Sequence, residues 1–552
     1  MNYSLRLPLG FLLLGAATLA GAGDAPRTWG DWPTWGDQGD GTYRNPVLPA
    51  DYSDLDCIRV GADYYAISST FQYSPGMAIL HSRDLVNWRI LGHVVSDVTQ
   101  IGPEMNWDRM DRYGHGIWAG AIRHHAGKFW VYFGTPQEGF FLSTAEDPAG
   151  PWTPLHSVMR TAGWDDCCPF WDDDGQGYFV CTHFAADPVD GREYTVHLFK
   201  LTSDGRDLVP GSDTIIHQSE GSEANKLYKI NGLYYHLYSE VRPGGGRVVM
   251  MHRAKNLCGP YETRQLSRAQ RSAMEPNQGG LVQTEKGDWF FFTHHGTGQW
   301  EGRAASLLPA TWIDGWPILG APDANGIGTM VWSSRKPVDG RPIAVPQTSD
   351  EFDGRGLAPQ WEWNHQPRAD RWSLTARPGF LRLHAFRGLD GDNLLKIGNV
   401  LTQRSVRAAG AEVVVRMDVA GMADGQHAGL CHFSAARRQG WPAANSASLG
   451  VTQIGAERFL ECSRGGAFTR GPVIAASTLW LRSTWDVDGV SRFSFSTDGE
   501  TFAPFGEPYQ LAWGAYRGDR LGLFTYNNTA DAGYVDFDWI HYDYAGPQTP
   551  KK

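Results

Sequence analysis

Leu227-Tyr-Lys-Ile-Asn-Gly-Leu-Tyr-Tyr-His-Leu237 reads as two short strands around an Asn-Gly turn, with aromatics crowding the second strand. Asn and Gly tolerate the left-handed backbone that a two-residue hairpin turn requires, so the stretch is a hairpin signature. The unit recurs as Ile58-Arg-Val-Gly-Ala-Asp-Tyr-Tyr-Ala-Ile67, Ile122-Arg-His-His-Ala-Gly-Lys-Phe-Trp-Val-Tyr132, Phe170-Trp-Asp-Asp-Asp-Gly-Gln-Gly-Tyr-Phe-Val180 and Leu281-Val-Gln-Thr-Glu-Lys-Gly-Asp-Trp-Phe-Phe291. In chain order the copies begin 64, 48, 57 and 54 residues apart. Most run on into a polar strand punctuated by Pro, Gly or Trp, as in HSRDLVNW from His81, STAEDPAGPW from Ser143 and HRAKNLCGPY from His252. Such a loose period fits a four-stranded propeller blade with variable loops. Five copies imply a five-bladed β-propeller over residues 45–340.

The passage SSRKPVDGRPIAVPQTSD (333–350) breaks the pattern with turn formers, and residues 341–349 are assigned as the linker. Beyond it Phe380-Leu-Arg-Leu-His-Ala-Phe386, Ala411-Glu-Val-Val-Val-Arg-Met417, Arg492-Phe-Ser-Phe-Ser496 and Tyr534-Val-Asp-Phe-Asp-Trp539 alternate with the period of two of half-buried strands. Residues 350–546 therefore read as a β-sandwich, and the fold class is all-β. At the other end, Arg6, the apolar run Leu7 to Leu19 and Ala20-Gly21-Ala22 make residues 1–22 a signal peptide. Residues 23–44, rich in Gly, Asp and Trp, read as an irregular arm docked on the body.

A net charge of −11 with no cluster of Lys or Arg leaves no face to neutralise phosphates, so nucleic acid is not an expected partner. No later segment reaches the roughly 18 apolar residues of a membrane span. After cleavage the expectation is a protein without membrane contact, periplasmic or secreted. Seven cysteines are too few for a disulfide framework, and the adjacent Cys167 and Cys168 are read as buried thiols that fill space like small hydrophobes.

Counting back four residues from the start of each copy gives Asp54, Trp118, Asp166, Glu223 and Asn277. Innermost propeller strands line the central channel, so equivalent slots before them converge near the axis. Three acids crowded there repel, and their pKa values should spread apart. Glycoside hydrolysis needs that: one carboxyl protonated to donate to the leaving oxygen, another ionised to activate water. The alternative for any single acid is turn capping or metal binding. Asp51, Asp56, Asp165 and Glu220 are near neighbours competing for the same roles, and repeat register selects Asp54, Asp166 and Glu223. Asp172-Asp173-Asp174-Gly175 is read as a solvated turn.

These residues resemble glycoside hydrolase family 43. The resemblance runs through Asn45-Pro-Val-Leu-Pro-Ala-Asp-Tyr-Ser-Asp54, Ser68-Ser-Thr-Phe71, Gly116-Ile-Trp118, Asp166-Cys-Cys-Pro-Phe170, Ser222-Glu-Ala224, Gly302-Arg303 and Trp312-Ile-Asp-Gly-Trp-Pro317. It implies five blades and an inverting mechanism, with Asp54 as general base, Asp166 as the acid that tunes and orients, and Glu223 as general acid. It further implies that Arg303 contacts the sugar and that Phe71 and Trp118 form apolar walls. The sequence departs from the family where Asn225 replaces a Pro and Gln278 replaces an axial His, a region that His294 and His295 could fill.

Downstream, Asp350-Glu-Phe-Asp353, Gln360-Trp-Glu-Trp-Asn-His365, Trp372-Ser-Leu-Thr375, Arg377-Pro-Gly-Phe-Leu-Arg-Leu383 and Asp536-Phe-Asp-Trp539 resemble the concanavalin-like jelly-roll sandwich appended to β-xylosidases of that family. There the sandwich can supply a loop to the pocket. Asp353 and Asp538 are the candidate oxygen ligands of a structural calcium, and no cofactor is required for the chemistry. The expected function is exo-acting removal of terminal β-D-xylosyl or α-L-arabinofuranosyl units from xylose- or arabinose-containing oligosaccharides or polysaccharides. The rivals are an endo-arabinanase on the same propeller and a non-catalytic carbohydrate-binding protein.

Overall fold

The computed structural model describes residues 35–184, 194–219, 221–242, 246–268, 276–296, 300–434, 446–514 and 516–546. The signal-peptide assignment and most of the arm lie outside them. Each of the five repeats forms the two inner strands of an antiparallel four-stranded sheet whose order follows the chain. The inner strands are Ser53–Val60, Gly120–His125, Trp164–Trp171, Glu223–Ile230 and Pro276–Gln283, here blades 1 to 5. The first hairpin turns carry positive φ where the sequence asks for it, as at Asn231 (51°) and Gly232 (78°) in blade 4.

Apolar side chains fill the seams between blades. Ile79, Val94 and Ile117 meet Ile122 and Val131 between blades 1 and 2, and Tyr132 and Leu142 meet Cys167 and Phe179 between 2 and 3. Phe170 and Leu198 meet Leu227 between 3 and 4, and Leu237 and Met251 meet Leu281 and Phe291 between 4 and 5. Leu55 and Cys57 meet Val282 and Phe292 between blades 5 and 1, so the ring of blades closes. The segment before blade 1 fastens that closure: Leu48 and Ala305 exchange backbone hydrogen bonds of 3.2 and 3.1 Å, and the Tyr52 N–H donates to Arg303 O at 2.8 Å.

The second unit is two stacked eight-stranded sheets enclosing one apolar core that includes Trp361, Val413, Val415, Leu430, Leu449, Leu481 and Phe537. One sheet ends on a strand from the propeller, Tyr73–Ser74, paired with Glu362–Asn364. The described end of the arm is docked. Trp35 is buried against Tyr544, and Thr42–Arg44 lies between Gly36–Asp37 and Ser333–Arg335 in a small sheet. All seven cysteines are free thiols, with Cys167 and Cys168 wholly buried.

Candidate active site

The slot that carries the acids is a β-bulge inside the inner strand. Register shifts occur between Ser53 and Asp56, Asp165 and Cys168, Glu223 and Lys226, and Pro276 and Gly279. At these bulges Asp54, Asp166 and Ala224 take φ of 55°, 52° and 66°. A bulge with one residue in the left-handed region turns a side chain out of the strand's alternation. Asp tolerates that conformation because its short polar side chain bonds locally. The inner strand of blade 2 pairs with its neighbour without a bulge, and Trp118 precedes it, held by its N–H to Gly134 O at 3.0 Å.

The side chains meet in a pocket of about 510 Å³ that is lined by Asp54, Phe71, Trp118, Asp165, Asp166, Glu223, Arg247, Asn277, Gln278, Arg303 and Tyr516. All six residues expected at the site from sequence therefore line one cavity. Its volume lies in the range of small-ligand sites. Phe71 and Ile117 pair through backbone hydrogen bonds of 2.9 and 3.0 Å, which seats the Phe71 ring 6.0 Å from that of Trp118.

Asp54 is buried and fully engaged. Its Oδ1 accepts from Arg303 Nη1 at 2.8 Å, and its Oδ2 accepts from Ser53 Oγ at 3.0 Å and from Ser69 Oγ. Its N–H donates to His294 Nδ1 at 2.7 Å. Burial works to raise the Asp54 carboxyl, but the Arg303 guanidinium and the Ser69 hydroxyl hold it below the usual carboxylate range. It is therefore the ionised member. Asp166 is the opposite case. Burial and the neighbouring Glu223 push it up to about 7, against a partial offset from Lys226, while Oδ2 accepts from the Ala224 N–H. Asp165, buried beside it, is pushed well up by burial and by Asp166. Glu223 is the more open acid and pairs with Arg247 Nη1 at 3.2 Å.

Several contributors left little or no sequence signal. Asn225, where the resemblance places Pro, bridges three groups. Its Nδ2 donates to Asp166 O at 2.9 Å and to Thr182 Oγ1 at 2.8 Å, and its Oδ1 meets His236 Nε2 at 2.8 Å. Lys226 is a wholly buried lysine one residue further on. Tyr516 comes from the sandwich, lies edge-on to Trp118 at 5.9 Å, and stands 5.8 Å from the Arg303 guanidinium. Of the rejected neighbours, Asp56 is committed to Arg123 at 2.6 Å and to the Ile122 N–H at 3.0 Å. Asp51 holds the Arg303 N–H at 3.1 Å, and Glu220 lies outside the described residues. Asp172 pairs with Lys229 at 2.5 Å in a turn, away from the pocket.

The calcium assignment does not fit. Asp538 is occupied by Arg416, and Asp353 is exposed. Among the described residues no group of three or more His, Cys, Asp or Glu side chains is arranged to hold a metal ion. Calcium takes six to eight oxygen ligands, which these two aspartates do not assemble. Near the axis, His294 is buried and spends Nδ1 on Asp54.

Residues 43–317 match the family model described as glycosyl hydrolases family 43, and residues 349–543 match the β-xylosidase C-terminal concanavalin A-like domain. A protein of Formosa agariphila named β-xylosidase is 34% identical over 93% of this chain and 92% of its own length. The chain belongs to glycosyl hydrolase family 43. Another member of the family, a Bacteroides ovatus protein named non-reducing end α-L-arabinofuranosidase, is 30% identical over 62% of this chain and 65% of that one. A solved structure titled bifunctional GH43-CE, from Bacteroides eggerthii, superposes with a TM-score of 0.79 at 28% identity. It covers 92% of this chain, which spans 64% of that longer one. As a family 43 member the chain is a glycosidase, and its domain order is the catalytic domain followed by the concanavalin-like sandwich.

Proposed function

We propose that this glycosidase is an inverting, exo-acting hydrolase that releases terminal β-D-xylosyl or α-L-arabinofuranosyl units. The observation that carries the reading is the opposed electrostatic state of two acids in one pocket, Asp54 held ionised and Asp166 held up. In the proposed sequence of events Asp54 takes a proton from water as that water attacks the anomeric carbon. Glu223 donates its proton to the leaving glycosidic oxygen from the other face. Asp166 sits beside Glu223, and burial together with that neighbouring carboxylate raises it, which suits it to tuning and orienting the acid. Arg303 pairs with Asp54 and lines the cavity, where a planar guanidinium suits paired hydroxyls. The faces of Phe71, Trp118 and Tyr516 suit sugar C–H surfaces.

The exo mode draws support from Tyr516, a sandwich residue that stands edge-on to Trp118 in the lining of the pocket. Names given to relatives support both sugars, since one is a β-xylosidase and another an α-L-arabinofuranosidase. The same reading takes the chain to be exported and its natural ligands to be xylose- or arabinose-containing chains. The test is nitrophenol release from aryl β-xyloside and aryl α-arabinofuranoside by wild type and Glu223→Ala. Inactivity of the wild type on both, and on xylo- and arabino-oligosaccharides, would refute it. Longer oligosaccharides as first products would refute the exo mode.

A further inference from the structure

We infer that Arg517, a residue of the sandwich, is a positioning residue that completes the base site of the propeller by bracing Arg303 and Ser69, two of the three side chains that bond the Asp54 carboxylate. The inference rests on the role of Asp54 proposed above. Arg517 is 1% exposed and closes a turn in which its N–H and O bond back to Gly514 at 2.9 and 3.0 Å. That turn carries Tyr516 in the left-handed region, at φ 65°. The guanidinium leaves its own domain. It forms an ion pair with Asp51 Oδ2 at 2.6 Å, its Nη1 donates to Ser69 O at 3.4 Å, and it lies 4.5 Å over the Phe71 ring.

Two routes lead from there to the two oxygens of the base. Asp51 uses its other oxygen to accept the Arg303 N–H at 3.1 Å, and Arg303 Nη1 reaches Asp54 Oδ1 at 2.8 Å. The Asp51 contact is close: a Cβ on Gly302 would stand 2.5 Å from Asp51 Oδ1. By the second route, the residue whose carbonyl Arg517 contacts is Ser69, and the Ser69 hydroxyl donates to Asp54 Oδ2. Arg517 therefore stands behind one hydrogen bond to each oxygen of Asp54, that from Arg303 and that from Ser69, without a hydrogen bond to Asp54 itself.

The guanidinium is not there for its own comfort. Among the described residues Nε and Nη2 have no hydrogen-bond partner, so the 2.6 Å contact to Asp51 is a charge contact rather than a directed bond. An incompletely bonded buried cation is costly to hold in place. Placed at the domain boundary behind a catalytic pocket, it makes the propeller's base site depend on the sandwich.

Asp54 is faced by Arg303 and His294 from blade 5, by Arg517 from the sandwich, and by Asp51 from the segment before blade 1. Asp165 and Asp166 face it from blade 3 and Glu223 from blade 4. Removing a cation from this set and loosening a second raises the pH at which Asp54 ionises.

The experiment is the pH profile of kcat/KM on an aryl glycoside for the full chain and for Arg517→Met and Arg517→Lys, with thermal unfolding measured alongside. For Arg517→Met the acidic limb should move up by about half a pH unit or more. Its kcat should fall on the order of 10- to 100-fold, the scale of a misplaced catalytic group. Arg517→Lys, which restores the charge at Asp51, should return the limb to the wild-type position. A purely structural residue would lower the unfolding temperature and leave the limb in place, and that result overturns the inference. Should Arg517→Met fail to fold, Arg517→Gln, which keeps a donor toward Ser69 O, is read by the same criteria. Asp54→Asn separates the two ideas. Turnover surviving there defeats the base assignment, whereas an inert Asp54→Asn beside an unmoved limb in Arg517→Met defeats only the role of Arg517.

Discussion

Replacing Asp166 with Asn should make the protein more stable at neutral and alkaline pH while removing its activity. The Asp166 carboxyl is buried, crowded by Glu223, and raised from 3.8 to about 7. A carboxyl whose pKa is higher folded than unfolded binds more protons in the folded state between those two values. Stability therefore falls as pH rises through that window. Below about pH 4 both states are protonated and the penalty is absent; above about pH 7 it is complete. A tenfold difference in proton affinity between folded and unfolded chain is worth about 1.36 kcal/mol, so the upper limit is about 4 kcal/mol. Asn mimics the protonated carboxyl and can still accept the Ala224 N–H, so the variant escapes the penalty at every pH. Urea unfolding at pH 5, 6.5 and 8 measures the difference. The variant's advantage should grow with pH, from at most about 1.7 kcal/mol at pH 5 to at most about 4 kcal/mol at pH 8. A gain independent of pH, or a loss at pH 8, would refute the reasoning that burial and Glu223 hold Asp166 up.

Arg303→Met removes the 2.8 Å pairing to Asp54, so the Asp54 pKa should rise and the acidic limb of kcat/KM should move to higher pH. A limb that stays in place would show that another group sets it. Asp54→Asn should abolish turnover while retaining sugar binding by calorimetry, and lost binding with intact folding would count against the assignment. Tyr516→Ala removes the wall beside Trp118 and should raise KM several-fold with a smaller change in kcat, on the scale of one aromatic contact of about 1 kcal/mol. An unchanged KM would exclude Tyr516 from the sugar site. Adding EDTA to the purified protein should leave activity unaltered, because Asp353 and Asp538 do not assemble a calcium shell. Loss of activity restored by calcium would contradict that.

The propeller was legible because its unit is local. Each hairpin carries its own turn chemistry and aromatic strand, so five copies could be read without any long-range contact. The acids followed, since a fixed offset from each hairpin falls within a residue of the same place in the blades that carry them, Glu223 standing one residue earlier in its bulge than Asp54 and Asp166. The offset did not reveal that the place lies within the strand. Asp54 and Asp166 are bulge residues in the left-handed region, and an Asp there looks like any other Asp in sequence. The slot before Leu281 holds Asn277, which also lines the pocket, so chemistry varies while geometry repeats.

The supporting side chains were hidden for a different reason. Tyr516 and Arg517 belong to the other domain: Tyr516 meets Trp118 and Arg517 meets Phe71 and Ser69, the last 448 positions away, contacts made only through the packed boundary. Arg247 and Asn225 sit among ordinary strand residues, and only the departure from Pro at Asn225 pointed to a difference. Asp353 and Asp538 misled because two acids in a resembling motif say nothing about what pairs with them, and Arg416 does.

The most direct test of the central claim, that Asp54 activates water against a bond protonated from Glu223, is the anomer first released. Proton NMR of the wild-type enzyme acting on an aryl β-D-xyloside, recorded before mutarotation, should show α-xylose appearing first. β-Xylose as the initial product would mean a covalent intermediate and would contradict the role given to Asp54.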